Sequence, residues 1–116
     1  MPAPIDTFNF TLPQGETWDL VLTVMDPDDQ VNPLDLTGWA ARCQFRQTIA
    51  SSTVIASPTA VVTDGPNGVV SLSLTATQTA AITATTMYYD VEVESAAGRV
   101  IRVLKGVITL DTEVTR

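Results

Sequence analysis

The chain has 116 residues, a formal charge of −7, one cysteine and no histidine. One core domain fits that length, a lone cysteine excludes an intrachain disulfide, and an acidic balance opposes binding to a phosphate backbone. No apolar run reaches the roughly 18–20 residues of a membrane span, and the start, Met-Pro-Ala-Pro-Ile-Asp, lacks the basic segment and apolar run of a signal peptide.

Residues 1–7, carrying Pro2 and Pro4, are expected as an extended N-terminal arm. A period of two then begins. Phe8, Phe10 and Leu12 alternate with Asn9 and Thr11. Trp18, Leu20, Leu22 and Val24 follow on one side of a second run, with Asp19, Val21 and Thr23 on the other. Such alternation marks strands with one buried face. Asp26-Pro27-Asp28-Asp29 is turn chemistry. Trp39, Ala41, Cys43 and Phe45 form the next inward row, opposite Arg42, Gln44 and Arg46. Residues 47–59 hold the weakest pattern and are expected as a loop with a short edge strand.

Asp64-Gly65-Pro66-Asn67-Gly68 is a turn leading into Val70, Leu72 and Leu74, which alternate with Ser71 and Ser73. Residues 75–83, with three alanines and a threonine placed to cap them, predict one or two helical turns. Tyr89, Val91 and Val93 then alternate with Asp90, Glu92 and Glu94. A three-residue loop, Ala96-Ala97-Gly98, with Gly98 left-handed, would pair Val93 with Ile101, Val91 with Val103, and Glu92 with Arg102. A two-residue loop would place Arg102 beside Val91 in the core, so the three-residue register is favoured. Gly106 interrupts the last strand, and a β-bulge or a change of sheet is expected there.

These elements predict a single all-β domain over residues 1–116, an immunoglobulin-like antiparallel β-sandwich of about seven or eight strands with one short helical turn. A small closed barrel is the alternative.

The residues offer little chemistry. Without histidine the commonest general base and metal ligand are missing. Cys43 falls on an inward position with no activating neighbour and reads as an inert thiol. Asp26, Asp28 and Asp29 lack the glycine and distal glutamate of a calcium loop. The scattered glycines form no phosphate loop. Asp90, Glu92 and Glu94 could face Arg42 and Arg46 as a cross-strand charge ladder. No catalytic, cofactor-binding or metal-binding residue is assigned, and an enzyme is not expected.

Several short pieces occur in order: Gly15-Glu16-Thr17-Trp18, Pro33-Leu34-Asp35-Leu36-Thr37-Gly38, Arg42-Cys43-Gln44-Phe45-Arg46, Gly68, Leu72-Ser73-Leu74-Thr75, Thr79, Tyr88-Tyr89-Asp90-Val91, Gly106 and Val114-Thr115-Arg116. With them the chain resembles small β-sandwich virion proteins of tailed bacteriophages, most of all the N-terminal, particle-anchoring domain of baseplate upper proteins. Asp35-Leu36-Thr37-Gly38 and Tyr88-Tyr89-Asp90-Val91 carry most of that resemblance. Two departures stand out. Thr85-Thr86-Met87 replaces a glycine that often precedes the tyrosine element, and the sequence stops at Arg116 without a receptor-binding region.

The resemblance implies a non-enzymatic structural protein of the virion, present in host cytoplasm before assembly. It would act as a tail, baseplate or collar adaptor, multimeric in the particle, that docks on other phage proteins: tail, fibre, portal or capsid. A head decoration protein is the alternative, and a carbohydrate-binding or accessory module a second. Neither nucleic acid nor membrane is an expected partner. Residues 1–41 hold seven acids and no lysine or arginine. Asp19, Asp26, Asp28 and Asp29, with Pro2, Pro4 and the outward-pointing Tyr88, are the candidate partner contacts.

Overall fold

The computed structural model describes residues 6–28 and 31–115. Two sheets face each other. The larger is built from β1 (Asp6–Thr7), β2 (Phe10–Pro13), β4 (Ala40–Arg46), β5 (Val54–Ala56), β8 (Thr86–Glu94) and β9 (Val100–Asp111), and the smaller from β3 (Trp18–Thr23), β6 (Thr59–Asp64) and β7 (Val69–Leu74). The larger runs in the order β1-β9-β8-β4-β5, with β2 also on β9, and the smaller in the order β3-β7-β6. That arrangement is the immunoglobulin-like sandwich.

The predicted alternation matches the burial. Trp18, Cys43, Phe45, Val70, Leu72, Leu74, Tyr89, Val91 and Val93 are all buried in one core between the sheets. Burying such side chains supplies roughly 1.5–3 kcal/mol apiece before entropy is counted. The short helix α1 (Ala76–Ala80) has the predicted threonine cap. The Thr75 hydroxyl accepts from the Gln78 amide, and the Gln78 side chain returns the bond to the Thr75 amide. Thr79, fully buried, fastens that helix to the turn before β3. Its hydroxyl donates to the Glu16 carbonyl at 2.7 Å and accepts from the Gly15 amide at 3.0 Å.

Four points differ from the sequence reading. The first concerns direction: β1 and β2 run parallel to β9, whereas every other strand pair is antiparallel. The two are one edge strand interrupted at Phe8 and Asn9, where the Asn9 side chain accepts from the Val107 amide and fills the gap in the ladder.

The second is β6, whose Ala60-Val61-Val62 run hides its alternation. The third is register. The three-residue loop forms, with Gly98 at φ 93, Val93 opposite Ile101 and Glu92 opposite Arg102. Beyond that point Val91 meets Leu104 rather than Val103, so the bulge of β9 lies at Val103.

Gly106 is accordingly neither a bulge nor a change of sheet. It sits in an unbroken β9 opposite Tyr89, where a side chain would collide with the Phe8 carbonyl. The fourth point is Phe8 itself, which is 43% exposed rather than buried and stacks on Phe10 at 5.7 Å.

Candidate functional site

On the outer face of the larger sheet, β4, β8 and β9 lie side by side, so their outward residues form rows across three strands. Arg42, Glu92 and Arg102 make one row, Gln44, Asp90 and Lys105 the next, and Arg46, Tyr88 and Val107 a third. The acids of β8 therefore run between two lines of cations. Cross-strand neighbours of opposite charge favour this register.

The predicted ladder forms at one end. The Arg42 guanidinium donates to Glu92 and Glu94, each at 2.8 Å, and these bonds hold Arg42 above its ordinary pKa. Arg46 does not join it. Its two terminal nitrogens go to the Ser51 carbonyl at 2.6 Å and to Gln44 at 2.7 Å, tying the 47–53 loop to the sheet. Arg102 reaches Asp90 only at 3.9 Å, and among the described residues Lys105 has no carboxylate within ion-pairing range.

Beside these groups lies a groove of about 210 Å³, lined by Arg46, Ile49, Tyr88, Asp90, Arg102 and Lys105. Among the described residues it carries three cations against one carboxylate. Partial burial and then the Glu92 charge raise the Asp90 pKa, while Arg102, Arg46 and Arg42 pull it back. Ile49 is 82% exposed at the rim. A cationic floor beside apolar Tyr88 and Ile49 suits a partner segment that carries a carboxylate.

Tyr88 is thus placed where the sequence put it, on the outer face, half-buried in the groove wall. Asp19 lies on a different surface, exposed on the outside of β3 in the smaller sheet. Asp26 and Asp28 occupy the turn after β3, where the Asp26 carboxylate accepts from the Asp28 amide at 2.8 Å. The fold therefore separates Tyr88 from the acidic residues. Pro2, Pro4 and Asp29 lie outside the described residues.

The sequence reading did not single out Arg46, Arg102 and Lys105 as site residues. Arg46 was readable as an outward residue of its strand. Lys105 was not, because without the bulge at Val103 it would point inward.

Cys43 is buried, and burial, helped by the Asp90 charge, pushes its thiol up to about 12, so it stays protonated near neutrality. Among the described residues no group of three or more Cys, Asp or Glu is placed to hold a metal ion, and no helix is long and apolar enough to cross a membrane. Trp18 is buried and Trp39 half-buried, so neither offers an open stacking platform.

Fold and site together define an immunoglobulin-like β-sandwich domain with a mixed-charge groove on its larger sheet. Among solved structures it is similar to the N-terminal domain of phage TP901-1 ORF48, at 12% identity and a TM-score of 0.57, with 97% of this chain and 100% of that one covered. The two share a fold over their whole lengths, and the resemblance to phage anchoring domains holds at that level. A looser likeness, TM-score 0.38 and 16% identity, links 97% of the chain to 34% of a structure of Drosophila OTK extracellular domains 3–5. No protein-family model and no curated protein sequence matches the chain.

Proposed function

We propose that this chain is a structural protein of a tailed-phage virion, an adaptor of the tail, baseplate or collar that works by docking on neighbouring subunits and catalyses no reaction. The observation that carries this reading is the end-to-end fold likeness to the N-terminal domain of phage TP901-1 ORF48, in which neither chain leaves a large part unmatched. The ordered sequence elements around Asp35-Leu36-Thr37-Gly38 and Tyr88-Tyr89-Asp90-Val91 support it independently. A rigid sandwich that presents a polar, mixed-charge face fits the role, since charge patterns across an interface fix orientation and reject wrong partners.

Immunogold electron microscopy of purified particles, with antibody against this chain, tests the proposal. Label at the tail end or collar is the expected result. Label spread over the head would transfer the chain to the decoration class, and unlabelled particles would overturn the virion reading.

A further inference from the structure

Charge is separated along this molecule. Five of the six basic residues fall between Arg42 and Lys105, and residues 1–41 have none. Three of those cations converge on the groove of the larger sheet, where among the described residues the single carboxylate is that of Asp90. Arg42 is already engaged by two glutamates, but Lys105 has no carboxylate partner among the described residues and Arg102 has only a distant one. The groove therefore holds uncompensated positive charge on a protein of net charge −7.

The complementary feature is the turn carrying Asp26 and Asp28. It cannot fold back onto the groove. Trp18, at the start of β3, packs 5.7 Å from Phe45, next to Arg46 at the groove end of β4. Asp26 lies past the opposite end of β3, on a hairpin-like extension held by bonds from Leu34 to Val24 and from Asp26 to Asn32. Turn and groove thus sit toward opposite ends of a body 45 Å long. An intramolecular contact is excluded, whereas a second copy brings the two together.

We propose that the chain self-associates, the acidic Asp26–Asp28 turn of one copy seating in the Arg46–Arg102–Lys105 groove of another. The turn brings carboxylates on a short, Pro27-stiffened segment, so little conformational entropy is lost on docking. The contact is electrostatic and therefore salt-sensitive, because added salt screens the pairing of exposed carboxylates and cations. This inference stands apart from the virion reading and requires no phage partner.

Sedimentation velocity over a concentration series, at low and at high salt, tests it with four samples: the wild type, R102E/K105E, D26K/D28K, and an equimolar mixture of the two variants. The wild type is expected to associate at low salt and to return to monomer at high salt. Each variant alone should bind itself at least about tenfold more weakly, since it opposes like charges at the contact. The mixture should recover association, because reversing both sides restores opposite charges at every junction. That recovery also shows both variants to be folded. A closed pair or a growing chain would each support the proposal. A wild type that stays monomeric at low salt, variants that associate as well as the wild type, or a mixture that fails to recover would overturn it.

Discussion

The Tyr89 hydroxyl donates a 2.6 Å hydrogen bond to the main-chain carbonyl of Phe8, 81 residues earlier in the chain. Tyr89 lies in the core at 5% exposure, and Phe8 is in the interruption between β1 and β2. The bond therefore anchors the parallel edge segment to the central strand of its sheet. Phe10, next along, packs against Trp18, Phe45 and Tyr89 at ring distances of 5.2, 6.4 and 5.3 Å. Removing only the hydroxyl, in Tyr89→Phe, keeps these ring contacts. We expect a loss of about 1 kcal/mol, the usual net value of such a bond, read by urea unfolding. The Phe8 amide, bonded to the Lys105 carbonyl at 2.8 Å, should also lose protection in hydrogen exchange. Unchanged protection there would show that the bond does not hold the segment.

Gly106 and Gly98 should respond to alanine for different reasons. At Gly106 the added carbon would meet the Phe8 carbonyl and, at 3.0 Å, the Tyr89 ring, so backbone must move. Gly98 has open space around its added carbon and only its φ of 93 to disfavour alanine. Gly106→Ala should thus cost about 1–3 kcal/mol or more through overpacking, and Gly98→Ala about 1–2 kcal/mol through backbone strain. The Tyr89→Phe background separates them further. Gly106→Ala should be non-additive with it, because both act at Phe8, whereas Gly98→Ala should add. Thermal or urea unfolding of the three single variants and the two double variants measures this.

Thr79→Val tests the fastening of the helix. Valine has nearly the shape of threonine but leaves the Glu16 carbonyl and the Gly15 amide without the partner they have now. The expected cost is about 1–3 kcal/mol, the penalty for orphaning part-buried polar groups. Thr79→Ser, which keeps the hydroxyl, should recover part of it. A serine variant no more stable than the valine one would mean that packing of the threonine methyl counts for as much as the bonds of its hydroxyl, and a valine variant as stable as the wild type would show that those bonds do not fasten the helix.

Much of this fold was readable before any coordinates, because its signals are local. Alternation at Trp18, Leu20 and Leu22, or at Tyr89, Val91 and Val93, reports one buried face directly. The Ala96-Ala97-Gly98 loop could be given its length because the wrong choice buries Arg102. Three features depended on distant partners and left no local trace. Nothing in residues 6–13 states that they run parallel to β9. The Ala60-Val61-Val62 run does not alternate, so β6 was invisible by period. The extra residue at Val103 is one more valine in an apolar strand, yet it turns Leu104 inward and Lys105 outward to face Asp90. The candidate groove rests on that single slip. Its cations come from β4 and β9, joined only by the strand between them, so the charge row was legible at Arg42 and Glu92 but not at Lys105.

The alkaline limb of stability should belong largely to Cys43. Burial, with the Asp90 charge adding to it, pushes its thiol up to about 12. In the unfolded chain the same thiol ionises near about 8.5. Between those values the folded chain keeps a proton that the unfolded chain has released, so stability falls as pH rises. The slope approaches about 1.4 kcal/mol per pH unit where the two states differ by a full proton. Below that window both states hold the proton and the effect vanishes. Tyr89 acts with the same sign at higher pH, since burial, followed by the Cys43 charge, also raises its phenol. Cys43→Ala removes the first contribution and keeps the larger, burial-derived part of the second. Urea midpoints between pH 7 and pH 10 should therefore decline for the wild type and stay nearly level for Cys43→Ala until the tyrosine begins to ionise in the unfolded chain, near about pH 10. Parallel curves for the two proteins would mean that the thiol ionises as readily in the fold as outside it, and that the core around Cys43 admits water.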